Sequence, residues 1–124
     1  MDEQLKKSLA KDPDGLLTYE YIANHINDCA DIMPELVENM MMVDGNGQFC
    51  ASAARYLHAI DSQNFAADID KLVAAAIEKD REHRYIGDLL PALWGADYHE
   101  HVEELNVADN NFRRIYKRIH TVGI

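Results

Sequence analysis

The stretch DYHEHVEEL, residues 97–105, holds the closest grouping of metal-ligating side chains in this 124-residue chain. On a helix, His99 and Glu103 stand one turn apart on one face, where an imidazole nitrogen and a carboxylate oxygen can share a divalent cation. His101, two residues from His99, points to nearly the opposite side. Two donors do not make a coordination shell, and a third has to come from elsewhere. His83, Glu82, Asp97 and His120 qualify by type alone. His99, Glu103 and His101 are thus the metal candidates, set against a simpler reading as a solvated helix face. With 6 histidines dispersed among 22 acidic residues, imidazole and carboxylate meet by chance. The simpler reading is preferred, and no metal or cofactor is expected.

Other catalytic constellations are harder to assemble. The chain has no HExxH and no CxxC spacing, and the DGNGQ segment lacks the lysine of a phosphate-binding loop. Ser8, Ser52 and Ser62 fall in a polar helix, an alanine-rich helix and a capping position, none of them a strand-to-helix elbow. Cys29 and Cys50 are flanked by apolar residues at helical spacing, as buried free thiols are. No catalytic residue is assigned.

Charge says more about partners. Twelve basic against 22 acidic residues give a formal charge of −10, which argues against nucleic acid, since phosphate binding needs a cationic face. Arg113, Arg114, Lys117 and Arg118 crowd one segment near the C-terminus, and no acidic residue follows Asp109. The remaining 8 basic and 22 acidic residues balance to −14. A basic partner fits the acidic body and an acidic partner fits these four cations. The preferred reading is internal: cations at a helix C-terminus favour its dipole, and the helix lies against the acidic body.

Every segment that would position these groups reads as helix. Residues 2–11 form a short polar helix with Leu5 and Leu9 to bury, and Asp12-Pro13-Asp14-Gly15 breaks it, leaving residues 1–15 loosely attached. Thr18 stands as an N-cap with Leu17 and Ile22 in staple relation. Tyr19, Ile22, Ala23, Ile26, Ala30 and Met33 follow as one helical face, and Pro34 starts or bends a helix. Of the consecutive Met40, Met41 and Met42, at least one must face water. Phe49, Cys50, Ala53, Ala54, Leu57 and Ile60 line the next helix, and Asp61 or Ser62 caps the one after it. That helix buries Phe65, Ile69, Leu72, Val73, Ala76 and Ile77. Three shorter helices follow around Pro91, Gly95 and Asn110-Asn111, the last capped by Asp109 with Phe112, Ile115, Tyr116 and Ile119 as its apolar edge. No stretch alternates at period two. The N-terminus has no apolar core of a signal peptide, and no segment is apolar enough to span a bilayer. The expectation is one all-α domain over residues 1–124, cytoplasmic, of six or seven short antiparallel helices, arranged as a helical bundle or a short right-handed α-α superhelix.

Two local resemblances bear on function. With Gly47 on the obligatory glycine, MMMVDGNGQFCAS (residues 40–52) resembles the core of an EF-hand loop, placing Asp44 third, Asn46 fifth and Phe49 eighth. The same register puts Met42 first and Ala53 twelfth, where calcium needs an aspartate and a bidentate glutamate. The stretch therefore reads as a turn, with Gly45 or Gly47 supplying a positive φ where one helix ends and the other letting the chain enter the next. Residues 54–82 resemble a tetratricopeptide unit, with Tyr56 early, NF at the turn and AAAIEKD closing the second helix. The small residue usual after the turn is replaced by Asp68 or Ile69, and the closing proline is missing. More generally the chain resembles HEAT-like or tetratricopeptide-like helical stacks, and that likeness implies a concave surface holding a peptide or another protein. A non-catalytic interaction module is thus the expected function, with homodimerisation open to it. An acidic antitoxin-like or immunity-like protein masking a basic partner, and a metal-dependent enzyme using His99 and Glu103, are the alternatives.

Overall fold

Three of the loops between helices begin with an aspartate: Asp12, Asp44 and Asp80. Around them the computed structural model describes residues 1–120 as eight α-helices, with no strand among the described residues. They are α1 (Glu3–Ala10), α2 (Leu16–Asn24), α3 (Met33–Val43), α4 (Gln48–Asp61), α5 (Ala66–Lys79), α6 (Leu89–Trp94), α7 (Val102–Ala108) and α8 (Asn110–His120). Short 3-10 turns at Ala30–Ile32, Ile86–Asp88 and Tyr98–Glu100 join some of them. The last four residues of the domain expected over 1–124 lie outside the described residues. No described helix is long and apolar enough to cross a membrane.

Eight helices stand where six or seven are expected, and two differences have local causes. The face drawn from Tyr19 to Met33 is not one helix. α2 ends at Asn24 and a 3-10 turn intervenes before α3, whose second residue is Pro34, so the proline starts a helix. The stretch 97–105 is likewise divided, because the 3-10 turn over Tyr98–Glu100 gives way at His101 (φ −126°) to α7.

Two capping assignments also change. Thr18 lies inside the first turn of α2 and is fully buried, with Gly15 at the N-cap position. Asp61 is the last residue of α4, where its carboxylate accepts from the Asn64 amide at 3.1 Å, and α5 starts beyond it with no side-chain cap. Asp109 caps α8 as expected, accepting from the Phe112 amide at 3.1 Å.

Contacts between helices run in two series. In one, α2 touches α4 and α4 touches α6; in the other, α1 touches α3, α3 touches α5 and α5 touches α8. Cross-links α2–α3, α4–α5 and α6–α8 join the series, and α7 packs on α8. Between them lies one apolar core running from Leu9 to Ile115, with Ile22, Met40, Leu57, Leu72 and Phe112 fully enclosed. Removing each such side chain from water is worth about 1.5–3 kcal/mol, which is what holds helices this short in place. Cys29 and Cys50 are both free and buried in it. Of the methionine run, Met40 is enclosed and Met42 is 75% exposed.

Candidate functional site

The aspartates that open the three loops are almost without solvent contact, a costly position for a carboxylate unless its oxygens are fully bonded. They are. Asp12 Oδ1 accepts from the amides of Asp14 (3.2 Å) and Gly15 (2.8 Å), and Oδ2 from the Thr18 amide (2.8 Å) and hydroxyl (2.7 Å). Asp44 Oδ1 accepts from Asn46 (3.1 Å) and Gly47 (2.9 Å), and Oδ2 from Phe49 (3.1 Å) and Cys50 (2.8 Å), all backbone amides. Asp80 accepts from the amides of Arg84 (2.9 Å), Tyr85 (2.7 Å) and Ile86 (2.9 Å). In each loop the amide six residues on binds Oδ2, so one carboxylate supplies acceptors to the next helix or 3-10 turn, whose first amides have no partner within it.

The backbone repeats as well. The third residue after each aspartate has a left-handed φ: Gly15 (107°), Gly47 (85°) and His83 (56°). Asp14 and Asn46, two residues after their aspartates, each accept from the amide two residues further on at 3.0 Å. The loops lean on one another in series. A Cβ on Gly15 would lie 3.0 Å from Met40 Sδ and Phe49 Cβ, and one on Gly47 would lie 3.0 Å from the Ala76 carbonyl and 3.2 Å from Asp80 Cβ. Asn39 ties the first loop down, donating to the Leu9 carbonyl and to Thr18 Oγ1, both at 3.0 Å.

The segment resembling an EF-hand core is thus a turn whose Asp44 oxygens point inward at amides. Its positive φ is at Gly47, at the entry to α4 rather than at the end of α3.

Burial alone would raise the pKa of Asp12, but hydrogen bonds from Thr18, Gly15 and Asp14 outweigh it and hold the carboxyl below its ordinary range. Burial, and then the charge of Asp44, push the Cys50 thiol far up, and burial with Asp28 raises Cys29. Both thiols are held in the unreactive form.

The histidine-rich stretch is arranged differently from the sequence pattern. Asp97, Glu100 and His101 bring one donor atom each within 4.8 Å of one another, with His101 Nε2 at 3.3 Å from Asp97 Oδ2, and all three are exposed. The Tyr98–Glu100 turn gathers residues three and four apart across the junction to α7. His99 instead sets its ring at 88° to Tyr98, and Glu103 belongs to α7; neither joins that trio. Three donors open to water lack the closed shell and outer partners that give a site its affinity.

The four cations of α8 divide. Arg114 pairs with Glu78 at 2.5 Å and Arg118 donates to the Ile77 carbonyl, both on α5, while Arg113 donates to Asn110 within α8. Lys117 and Arg118 are exposed. With His83 and Arg114 they line a surface hollow of about 430 Å³. A neighbouring hollow of about 500 Å³ lies between the second and third turns, with Asn46, Lys79, Arg81 and Tyr85 on its walls.

Three of the five large apolar side chains on the described surface also flank these turns. Leu16 (43% exposed) and Leu17 (49%) follow the first, and Met42 precedes the second. The sequence signal for the repeat is Asp-x-x-Gly at residues 12 and 44. It was hidden at residue 80 by His83 standing where the other copies have glycine.

Comparison with protein-family models, with curated proteins and with solved structures yields no match.

Proposed function

We propose that this chain is a short helical-repeat module that binds another protein or peptide along the edge formed by its three aspartate turns. The reading rests on one observation: the turns at Asp12, Asp44 and Asp80 share a left-handed third residue and an Oδ2 bond to the sixth amide, at spacings of 32 and 36 residues. Such recurrence is what stacked two-helix units produce. In this reading α2–α3, α4–α5 and α6–α8 are the units of a short right-handed α-α superhelix, α1 covers one end, and α7 is an insertion. Turns braced by buried carboxylates make a firm edge, and a firm edge loses little entropy on binding. Leu16, Leu17 and Met42 supply apolar contact there without serving the core.

The test is affinity purification with paired surface variants. Leu17→Glu with Met42→Glu alters the edge, and Val107→Glu alters α7, where Val107 is 88% exposed. A protein retained by wild type and Val107→Glu but lost from the edge variant, with unchanged circular dichroism, supports the reading. Equal retention by all three sinks it.

A further inference from the structure

The hollow beside the third turn gathers positive charge in a chain of net charge −10. Like charges on successive turns of one helix repel, so their presence on α8 needs a cause. Folding supplies a partner for three of them, Arg113 donating to Asn110 within α8. Arg114 neutralises Glu78, and Arg118 satisfies Ile77, one of the last carbonyls of α5. It supplies no side-chain partner for Lys117, whose charge suits the C-terminal end of the α8 dipole but which makes no ion pair or hydrogen bond with a described residue, and no reason for the identity of residue 83. The corresponding position is glycine in the other two turns, and a left-handed φ of 56° is one that a residue with a Cβ adopts only at a cost. An exposed side chain kept at that cost points to use outside the fold.

The chemistry of the lining defines the ligand. The guanidinium donors left over by Glu78 and Ile77, the Lys117 ammonium and the His83 imidazole line one hollow and suit an oxyanion, a carboxylate or a phosphate monoester. The surroundings restrict what can carry it. Glu78 and Glu82 border the adjoining hollow, and the chain outside α8 balances to −14, so a long polyanion is repelled even where one anionic group is welcomed. A nucleic acid or an anionic bilayer fits poorly, and a short segment of protein bearing one or two acidic side chains fits well.

We infer that the hollow lined by His83, Arg114, Lys117 and Arg118 is an acceptor pocket for an acidic or phosphorylated side chain of a protein partner. The inference rests on the interaction-module reading and adds the partner's charge to it. Because His83 belongs to the third turn, a segment lying along the turn edge reaches the pocket directly.

Fluorescence anisotropy on the full chain tests it with three labelled probes: a hexaglutamate peptide, a peptide of the same length carrying one phosphoserine among glycines and serines, and a single-stranded DNA hexamer. Saturable binding of either peptide, weakening as salt rises, is expected, and which peptide binds more tightly tells the carboxylate from the phosphate source. Lys117→Glu should weaken it about tenfold, and His83→Gly about threefold. His83→Gly removes a pocket side chain while relieving the backbone, so lost binding together with undiminished stability separates a ligand role from a structural one. Flat titrations with both peptides, equal binding by wild type and Lys117→Glu, or tighter binding of the DNA would each overturn the proposal. The Leu17 and Met42 variants leave the pocket residues in place, so partner capture that ignores the edge but a titration that responds to Lys117 would reject the edge reading alone.

Discussion

Asp44 has no exposed surface, and each of its oxygens accepts two amide hydrogen bonds. Asp44→Asn keeps the shape but puts an NH2 where Oδ2 accepts from Phe49 and Cys50. Leaving buried amides facing a donor should cost about 3 kcal/mol. In urea unfolding the midpoint should fall accordingly, whereas Asp14→Asn, exposed and bonded only to Leu16, should cost under about 1 kcal/mol. Similar losses in the two variants would mean that the buried carboxylates are not what holds the turns. Asp12 adds a pH dependence. Its folded-state pKa lies below the ordinary 3.8, so folding favours the charged form. Its contribution is complete above the ordinary value and is lost as pH falls through the depressed one. Stability should therefore drop below about pH 4 in wild type and drop less steeply in Asp12→Asn. Parallel stability profiles between pH 6 and pH 2.5 would contradict this.

At the scale of elements, the turns are variations on one device, and their differences make the sharper test. Gly47 cannot be replaced freely, because a Cβ there meets the Ala76 carbonyl at 3.0 Å as well as an unfavourable φ. Gly47→Ala should destabilise by more than about 1 kcal/mol. His83 sits in the same backbone region with nothing to gain from its Cβ, so His83→Gly should leave stability unchanged or raise it by up to about 1 kcal/mol. Thermal unfolding of the pair reads both signs in one experiment, and a destabilised His83→Gly would mean that the imidazole has a structural partner. Helix α8 shows the same division of labour: Phe112 and Ile115 anchor it in the core, while Lys117 and Arg118 remain at the surface.

For the whole molecule, the continuous core implies that the ends matter to the middle. Leu9 is 5% exposed, and the Leu9 carbonyl accepts from buried Asn39. Deleting residues 1–11 removes both, which should lower stability by about 2–4 kcal/mol while leaving most of the helical signal. An unchanged urea midpoint would make α1 the loosely attached segment that its polar sequence suggests. The core also joins helices of very different sequence quality. α5 is strongly amphipathic and legible alone, whereas α7 buries no residue and is held by packing on α8.

The sequence alone determined the helical content, the breaks at Asp12-Pro13-Asp14-Gly15 and at Gly45 to Gly47, the apolar faces of α5 and α8 and that of α4 as far as Leu57, since Ile60, read as part of it, is 50% exposed, and the isolation of four cations near the C-terminus. These are local properties, set by period, backbone freedom and composition. It did not show that Asp12, Asp44 and Asp80 do one job, since two of the copies display a glycine and the third a histidine, and a carboxylate's burial is invisible to periodicity. It misplaced the cap at Thr18 because the hydroxyl that caps an isolated helix here donates to a buried aspartate. It paired His99 with Glu103 because a continuous helix was assumed where a 3-10 turn closes early. Tertiary structure decided which turn leans on which, through Gly47 against Ala76 and Asn39 against Leu9. It also set His83 and Lys117 on the walls of one hollow. Those contacts join residues about thirty positions apart, and at that separation only the packing of one helix pair on the next selects the neighbours.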